Sequence, residues 1–225
     1  MVQAAAGAQH ARLFRPEDLG ELEPPDREEW QQPIRIMDAL GIGDGSVVAD
    51  LGAGSGWFTI RLASRVGPNG LVFAEDIQRP MIQAINVRVE SLGIKNVHMV
   101  LGTASDPHLP KPVDAVLIVD AYHEMDQPVP LLRNVAKSLK PSGRIGIVNF
   151  TKEGGGPGPP MEERVDAERV ISDAEAAGLR LRSRETFLKY QYMLVFEKRI
   201  PNPQSEIPNP QSGIPNRQSG IRNRQ

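Results

Sequence analysis

At 225 residues, with 40% hydrophobic and 24% charged residues, the chain carries enough apolar material for one globular core and no stretch long and apolar enough to span a membrane. A formal net charge of −2 leaves no electrostatic footprint for a nucleic-acid backbone, so a small-molecule or protein substrate is favoured and nucleic acid is not expected. The absence of cysteine removes disulfides, thiolate nucleophiles and cysteine-zinc sites together.

Residues 1–12 lack the charged-then-apolar order of a secretory signal, which predicts a cytoplasmic protein, with export the alternative if the true start lies upstream. The chain then turns acidic and proline-bearing, and residues 1–29 read as a partly flexible, acidic N-terminal arm. Ile34, Met37 and Leu40 give a short helical stripe that ends at Gly41.

Residues 47–63, VVADLGAGSGWFTIRLA, read as a buried strand, a tight turn and an amphipathic helix. The turn places Asp50 before glycines at 52, 54 and 56. Glycine reaches positive φ and lets a ligand approach the main chain closely. A dinucleotide turn would read G-x-G-x-x-G, with a pyrophosphate at the helix N-terminus. Here Trp57 stands where the third glycine would be, and an acid at position 50 would repel a pyrophosphate while suiting a cationic ligand.

A breaker at 67–70 leads into a second strand ending in Glu75-Asp76, about 20 residues past the glycine turn, where folds of this kind hold ribose hydroxyls. Pro80 opens a helix whose apolar positions are Ile82, Ile85, Val89 and Leu92. Residues 97–101 form a third strand, followed by Gly102, Thr103 and Ala104. Residues 114–119 are an unbroken apolar run suited to the middle of a parallel sheet. That strand releases Asp120, Tyr122 and His123 beyond its C-terminal end, where open α/β sheets bind ligands.

A helix carrying Leu132, Val135 and Leu139 stops at 140–143, and 144–148 is strand five. The Gly- and Pro-rich stretch 152–160 is either a lid on the substrate side or a plain connector. Asp166 is a good N-cap for a helix ended by Gly178, and 179–188 and 191–198 read as two neighbouring antiparallel strands. Residues 200–225 repeat a seven-residue unit with one isoleucine and up to two prolines; neither a coiled-coil seam nor a helix can form, so disorder is expected.

The pattern D-x-G-x-G-x-G from Asp50, together with LKPSGRIGIV at 139–148, resembles the class I S-adenosylmethionine-dependent methyltransferases, near the ubiquinone and menaquinone biosynthesis branch. The resemblance covers residues 30–199. It implies an α/β, Rossmann-like fold: a seven-stranded, mostly parallel sheet with helices on both faces and one antiparallel strand near the edge. It also implies S-adenosylmethionine as cofactor and methyl transfer to a small molecule.

Carried over residue by residue, the resemblance gives cofactor contacts to Asp50, Gly52, Ala53, Gly54 and Gly56, to Asp76 (in preference to Glu75) and Ile77, and to Thr103, Ala104 and Asp120. Many members carry an acid where Thr103 stands. Asp120, Tyr122 and His123 form the catalytic side. His123 is the base best matched by intrinsic pKa, with a packing or positioning role as its alternative. A metal-assisted O-methyltransferase using Asp120 and Asn149 is a second reading, but one carboxylate of the magnesium set is missing and no metal is expected. A non-catalytic S-adenosylmethionine-binding domain is a third. A nicotinamide-dependent oxidoreductase is disfavoured by Asp50 and Trp57, and the sequence carries no sign of oligomeric state.

Overall fold

The structure, a computed structural model, describes residues 13–199. The expected repeat tail and residues 1–12 lie outside the described residues. Seven strands form one sheet: β1 (Val47–Leu51), β2 (Leu71–Asp76), β3 (Val97–Leu101), β4 (Val113–Val119), β5 (Leu139–Phe150), β6 (Leu179–Glu185) and β7 (Gln191–Lys198). Their order is β3-β2-β1-β4-β5-β7-β6. The pairs β1/β2, β1/β4, β2/β3 and β4/β5 are parallel, and β7 runs antiparallel to both β5 and β6. The sheet therefore has a single antiparallel strand, next to the edge, as the resemblance implies. The order reverses between β1 and β4, and that switch point opens a crevice beyond the C-terminal strand ends.

Helices cover both faces. On one lie α2 (Pro33–Ala39), α3 (Trp57–Val66) and α4 (Arg79–Ser91), whose Ile36, Leu62 and Ile85 pack against Val48, Val72 and Leu117. On the other lie α5 (Pro128–Ser138) and α6 (Ala167–Ala176), whose Leu132, Val135 and Val170 pack against Ile118, Ile145 and Phe196. Central strands buried on both faces must be apolar throughout, which explains the run VDAVLIV in β4.

Ahead of α2, a 3₁₀ turn at Pro16–Leu22 and the short helix α1 (Arg27–Gln31) lie over the crevice. The chain between α1 and α2 breaks at Gln32, which is left-handed with φ 48°, and Pro33 opens the new helix because its missing N–H costs nothing there.

Three local expectations change. Residues 140–143 do not stand between α5 and β5. Leu139 already pairs with Val113, and the next pair is Arg144 with Ala115, so the expected turn is extruded from the ladder as a bulge. Strand β6 ends at Glu185, because Leu188 folds inward onto the core and Phe187 lies under the Arg35 guanidinium at 4.3 Å. Asp166 holds the backbone position of an N-cap with ψ 142°, yet its carboxylate pairs with Lys152 at 3.2 Å instead of bonding to the helix.

Candidate active site

The glycine turn is held in a backbone shape that only glycine adopts readily. Gly52, Gly54 and Gly56 are all left-handed, with φ of 71°, 54° and 77°. A side chain at Gly52 would also lie 2.6 Å from the Ala121 methyl, so the turns after β1 and β4 touch only because this residue is glycine. Two carboxylates at the end of β2 hold the turn. Glu75 accepts the Gly52 N–H at 3.3 Å, and Asp76 accepts the Gly54 N–H at 3.1 Å and the Gln78 N–H at 2.9 Å. Asp50 accepts the Thr59 hydroxyl at 2.6 Å. Backbone donors that a pyrophosphate would need are already taken by carboxylates, which disfavours a dinucleotide here.

This turn forms one wall of a cavity of about 720 Å³, of the size that takes a nucleoside-bearing small molecule. Asp50, Gly52, Ala53 and Gly54 line it from β1, and Asp76 and Ile77 from β2. Thr103 and Ala104 line it after β3, and Asp120 and His123 after β4. The sequence-predicted residues are thus gathered at one place, with two exceptions. Gly56 caps α3 and packs on Ile85 outside the lining. Tyr122 faces the core on the α6 side, 3% exposed, where its hydroxyl donates to Asp173 at 3.0 Å. A phenol locked to a buried carboxylate, its pKa raised by burial and by Asp173, cannot serve as a base, so the expected catalytic role of Tyr122 gives way to a structural one.

Tyr122→Phe is accordingly expected to leave turnover within about twofold while lowering stability by ~1 kcal/mol, the net worth of one hydrogen bond, since Asp173 keeps its pairing with Arg169. Denaturant unfolding alongside an activity assay checks it.

Burial dominates the electrostatics. It pushes Asp50 and Asp120 up to about 6, Glu75 to about 8 and Glu124 to about 7, and raises Asp76 as well. The same burial pushes His123 down to about 4, so its imidazole is neutral at pH 7. Its Nε2 lies 3.8 Å from the Glu124 carboxylate. Asp120 sits in a left-handed conformation with φ 53° at the end of β4. Its oxygens accept Gln191 at 2.7 and 2.9 Å and Gln31 at 3.1 Å. Asp120 and Asn149 follow the paired Val119 and Val148, but Asn149 is buried opposite Tyr192 in the ladder and, unlike Asp120, does not line the cavity. Among the described residues no group of three or more His, Cys, Asp or Glu side chains could hold a metal.

Several lining residues escape sequence reasoning. Arg27 on α1 is 9% exposed, stacks over Trp57 at 4.4 Å and donates to Gln31 at 2.5 Å and to the Leu22 carbonyl. Phe14 spans the crevice: its N–H donates to Glu124 at 2.7 Å and its carbonyl accepts Gln78 at 3.0 Å. Glu23 pairs with Arg88 on α4. The arm's acids draw attention as a charge run, and Asp18 and Glu21 do line the cavity, but so do Phe14, Leu22, Arg27 and, at the start of the domain, Trp30, which the charge pattern does not single out. The spacing of Arg27, Trp30 and Gln31, one face of a single helical turn, was the available signal.

Residues 42–186 match the family model described as a methyltransferase domain. The chain is 30% identical over 139 residues to the nocamycin O-methyltransferase of Saccharothrix syringae, covering 60% of this chain and 47% of that one. It is 31% identical over 118 residues to the ubiquinone/menaquinone biosynthesis C-methyltransferase of Pasteurella multocida, covering 52% and 44%. The chain therefore spans about half the length of the curated relatives it matches. A solved S-adenosylmethionine-dependent methyltransferase from Aquifex aeolicus superposes with a TM-score of 0.77 at 29% identity, over 82% of this chain and 98% of that one. With that match beside the 3-2-1-4-5-7-6 sheet and the acid-glycine turn, the chain belongs to the methyltransferase-domain family and has the class I S-adenosylmethionine-dependent fold.

Proposed function

We propose that the protein transfers a methyl group from S-adenosylmethionine to a nucleophilic atom of a small molecule. The observation that carries this reading is the ring of carboxylates, with Asp50, Glu75 and Asp76 buried and Asp120 and Glu124 half-buried, around a cavity that opens on the glycine turn. Such a ring suits a ligand with a positive charge and neutral hydroxyls and opposes a phosphate.

When bound, S-adenosylmethionine supplies a methyl on a sulfonium that needs little activation beyond alignment with the nucleophile. Asp76 and Glu75 would hold the ribose hydroxyls. Asp50 and Arg27 would take the ammonium and carboxylate of the amino-acid part, and Ile77 and Ala104 would flank the base. Trp57, beneath the Arg27 and Arg61 guanidiniums, closes the floor of the turn and excludes water. On the acceptor side stand Trp30, His123, Glu124 and Phe150.

Of the two titratable groups there, Glu124 is the better base. A proton acceptor works best with a pKa near the working pH, and Glu124 is pushed up to about 7 while His123 is pushed down to about 4. Sequence reasoning found His123 the best-matched base by ordinary pKa but left it between base and positioning group; in the folded chain burial moves His123 and Glu124 in opposite directions. His123 is then a neutral positioning group that can donate or accept one hydrogen bond.

Titration calorimetry tests the reading. S-adenosylhomocysteine is expected to bind with a dissociation constant in the micromolar range, about −8 kcal/mol, and NAD to give no heat. Folded protein that binds neither sulfur ligand would end the proposal. Assay against quinols, phenols, amines and thiols then identifies the acceptor; a protein that binds the cofactor and methylates none of them would favour a non-catalytic binding domain.

A further inference from the structure

The loop between β5 and α6 carries glycines 154, 155, 156 and 158 in left-handed conformations, with φ of 90°, 82°, 69° and 108°. A stretch so rich in glycine has little conformation of its own. It is nevertheless folded against the site, and Pro157, Gly158, Pro159 and Pro160 line the cavity. What holds it is Arg164, which is 7% exposed despite its charge. Its Nε donates to the Pro159 carbonyl at 3.0 Å, Nη1 to Thr151 at 3.0 Å and Gly155 at 3.4 Å, and Nη2 to Pro157 at 3.3 Å. The guanidinium also lies 5.1 Å from the Phe150 ring centroid.

Phe150 itself lines the cavity and meets Trp30 of α1 at 5.8 Å, and Trp30 meets Tyr190 at 6.5 Å. The loop is moulded onto these rings, since a Cβ at Gly158 would come within 2.6 Å of Phe150 and one at Gly156 would strike Tyr190. Loop, arm and sheet therefore meet on one aromatic cluster, and a single guanidinium fixes the loop's share of it.

We propose that Arg164 is a positioning residue for the methyl acceptor: by binding four carbonyls of the loop it sets the acceptor-side wall of the cavity, without touching cofactor or acceptor. The proposal rests on the methyltransferase reading for the identity of the ligands, and on the geometry alone for the wall. Lysine keeps the charge but offers its donors from one nitrogen, and it cannot span four carbonyls that a planar fork reaches. A role of charge alone would be rescued by lysine; a role of geometry would not.

The test uses the full chain with Arg164→Lys and, separately, Gly158→Ala, which lifts the loop off Phe150 while leaving Arg164 intact. In both variants S-adenosylhomocysteine affinity is expected to stay within about twofold, and amide exchange across residues 152–160 to speed up. The kcat/KM for the best acceptor of the panel is expected to fall by about 10²-fold, the cost of misplacing a reactant by about 1 Å. Should Arg164→Lys unfold by circular dichroism, Gly158→Ala carries the test. Acceptor kinetics like wild type in both variants, unchanged exchange in the loop, or a loss of S-adenosylhomocysteine affinity as large as the loss in kcat/KM would each overturn the proposal. If the wild type fails to bind S-adenosylhomocysteine, the function is wrong, and loop exchange still decides whether Arg164 holds the wall.

Discussion

Glu124→Gln is expected to lower turnover by about 10²-fold or more at pH 8, within the span that a positioned base contributes. Glutamine retains an oxygen that can accept the Phe14 N–H, so the arm keeps its anchor and only the titration is lost. The sign of the pH effect follows from which form works. A base acts when ionised, so the wild-type rate should climb as pH rises through about 7, where burial has moved this carboxyl, and level off above it. In the variant that limb should vanish. His123→Ala should cost less than about tenfold and leave the limb in place, because the imidazole is already neutral throughout that range. A pH profile in which the limb survives Glu124→Gln and disappears in His123→Ala would return the role of base to the histidine.

Asp76→Ala is expected to weaken S-adenosylhomocysteine binding by tenfold or more. Each hydrogen bond to a charged acceptor is worth ~1.5–3 kcal/mol, and about 1.4 kcal/mol is a decade in affinity. Part of the loss would come from the turn, since the same carboxylate accepts the Gly54 N–H and steadies one of the three left-handed glycines. Asp76→Asn separates the two parts. The single amide oxygen can still accept the Gly54 N–H, at the cost of turning the amide nitrogen toward the Gln78 N–H, so the glycine turn should hold while the charge is gone, and the binding loss should fall between wild type and alanine. Calorimetry on the three proteins checks it; alanine binding within twofold of wild type would remove Asp76 from the cofactor site.

Wherever a residue's role followed from local pattern, the sequence was enough. The strand-turn-helix around Asp50, the β4 run and the antiparallel β6/β7 pair depend on residues near one another in sequence, and each lies where expected apart from the earlier end of β6. Roles that depend on burial were not legible. Nothing in Tyr122-His123-Glu124 says that the first side chain turns to Asp173 while the next two face the cavity, because a 3₁₀ turn, not a strand or α-helix, sets their directions. Likewise, the inversion of His123 and Glu124 as bases is a property of the solvent they lose. The sequence reading singled out neither Arg27 nor Arg164. Arg27 is buried by the Leu22 carbonyl and the Trp57 ring, and Arg164 by the loop carbonyls and the Phe150 ring, contacts that exist only once the arm and the loop have folded onto the site.

The place of β7 in the sheet bears on how the chain can be made. It is the last of the described strands in sequence but lies inside the sheet, pairing with β5 along seven positions and burying Met193, Leu194, Val195 and Phe196 completely. A chain emerging from the ribosome therefore exposes the whole edge of β5, with Ile145 and Ile147, until residue 198 has cleared the exit tunnel. An apolar strand edge of that length invites pairing with another chain. Synthesis and closure of the sheet are thus coupled: a ribosome stalled, or a gene truncated, ahead of β7 should yield aggregate rather than a smaller soluble domain.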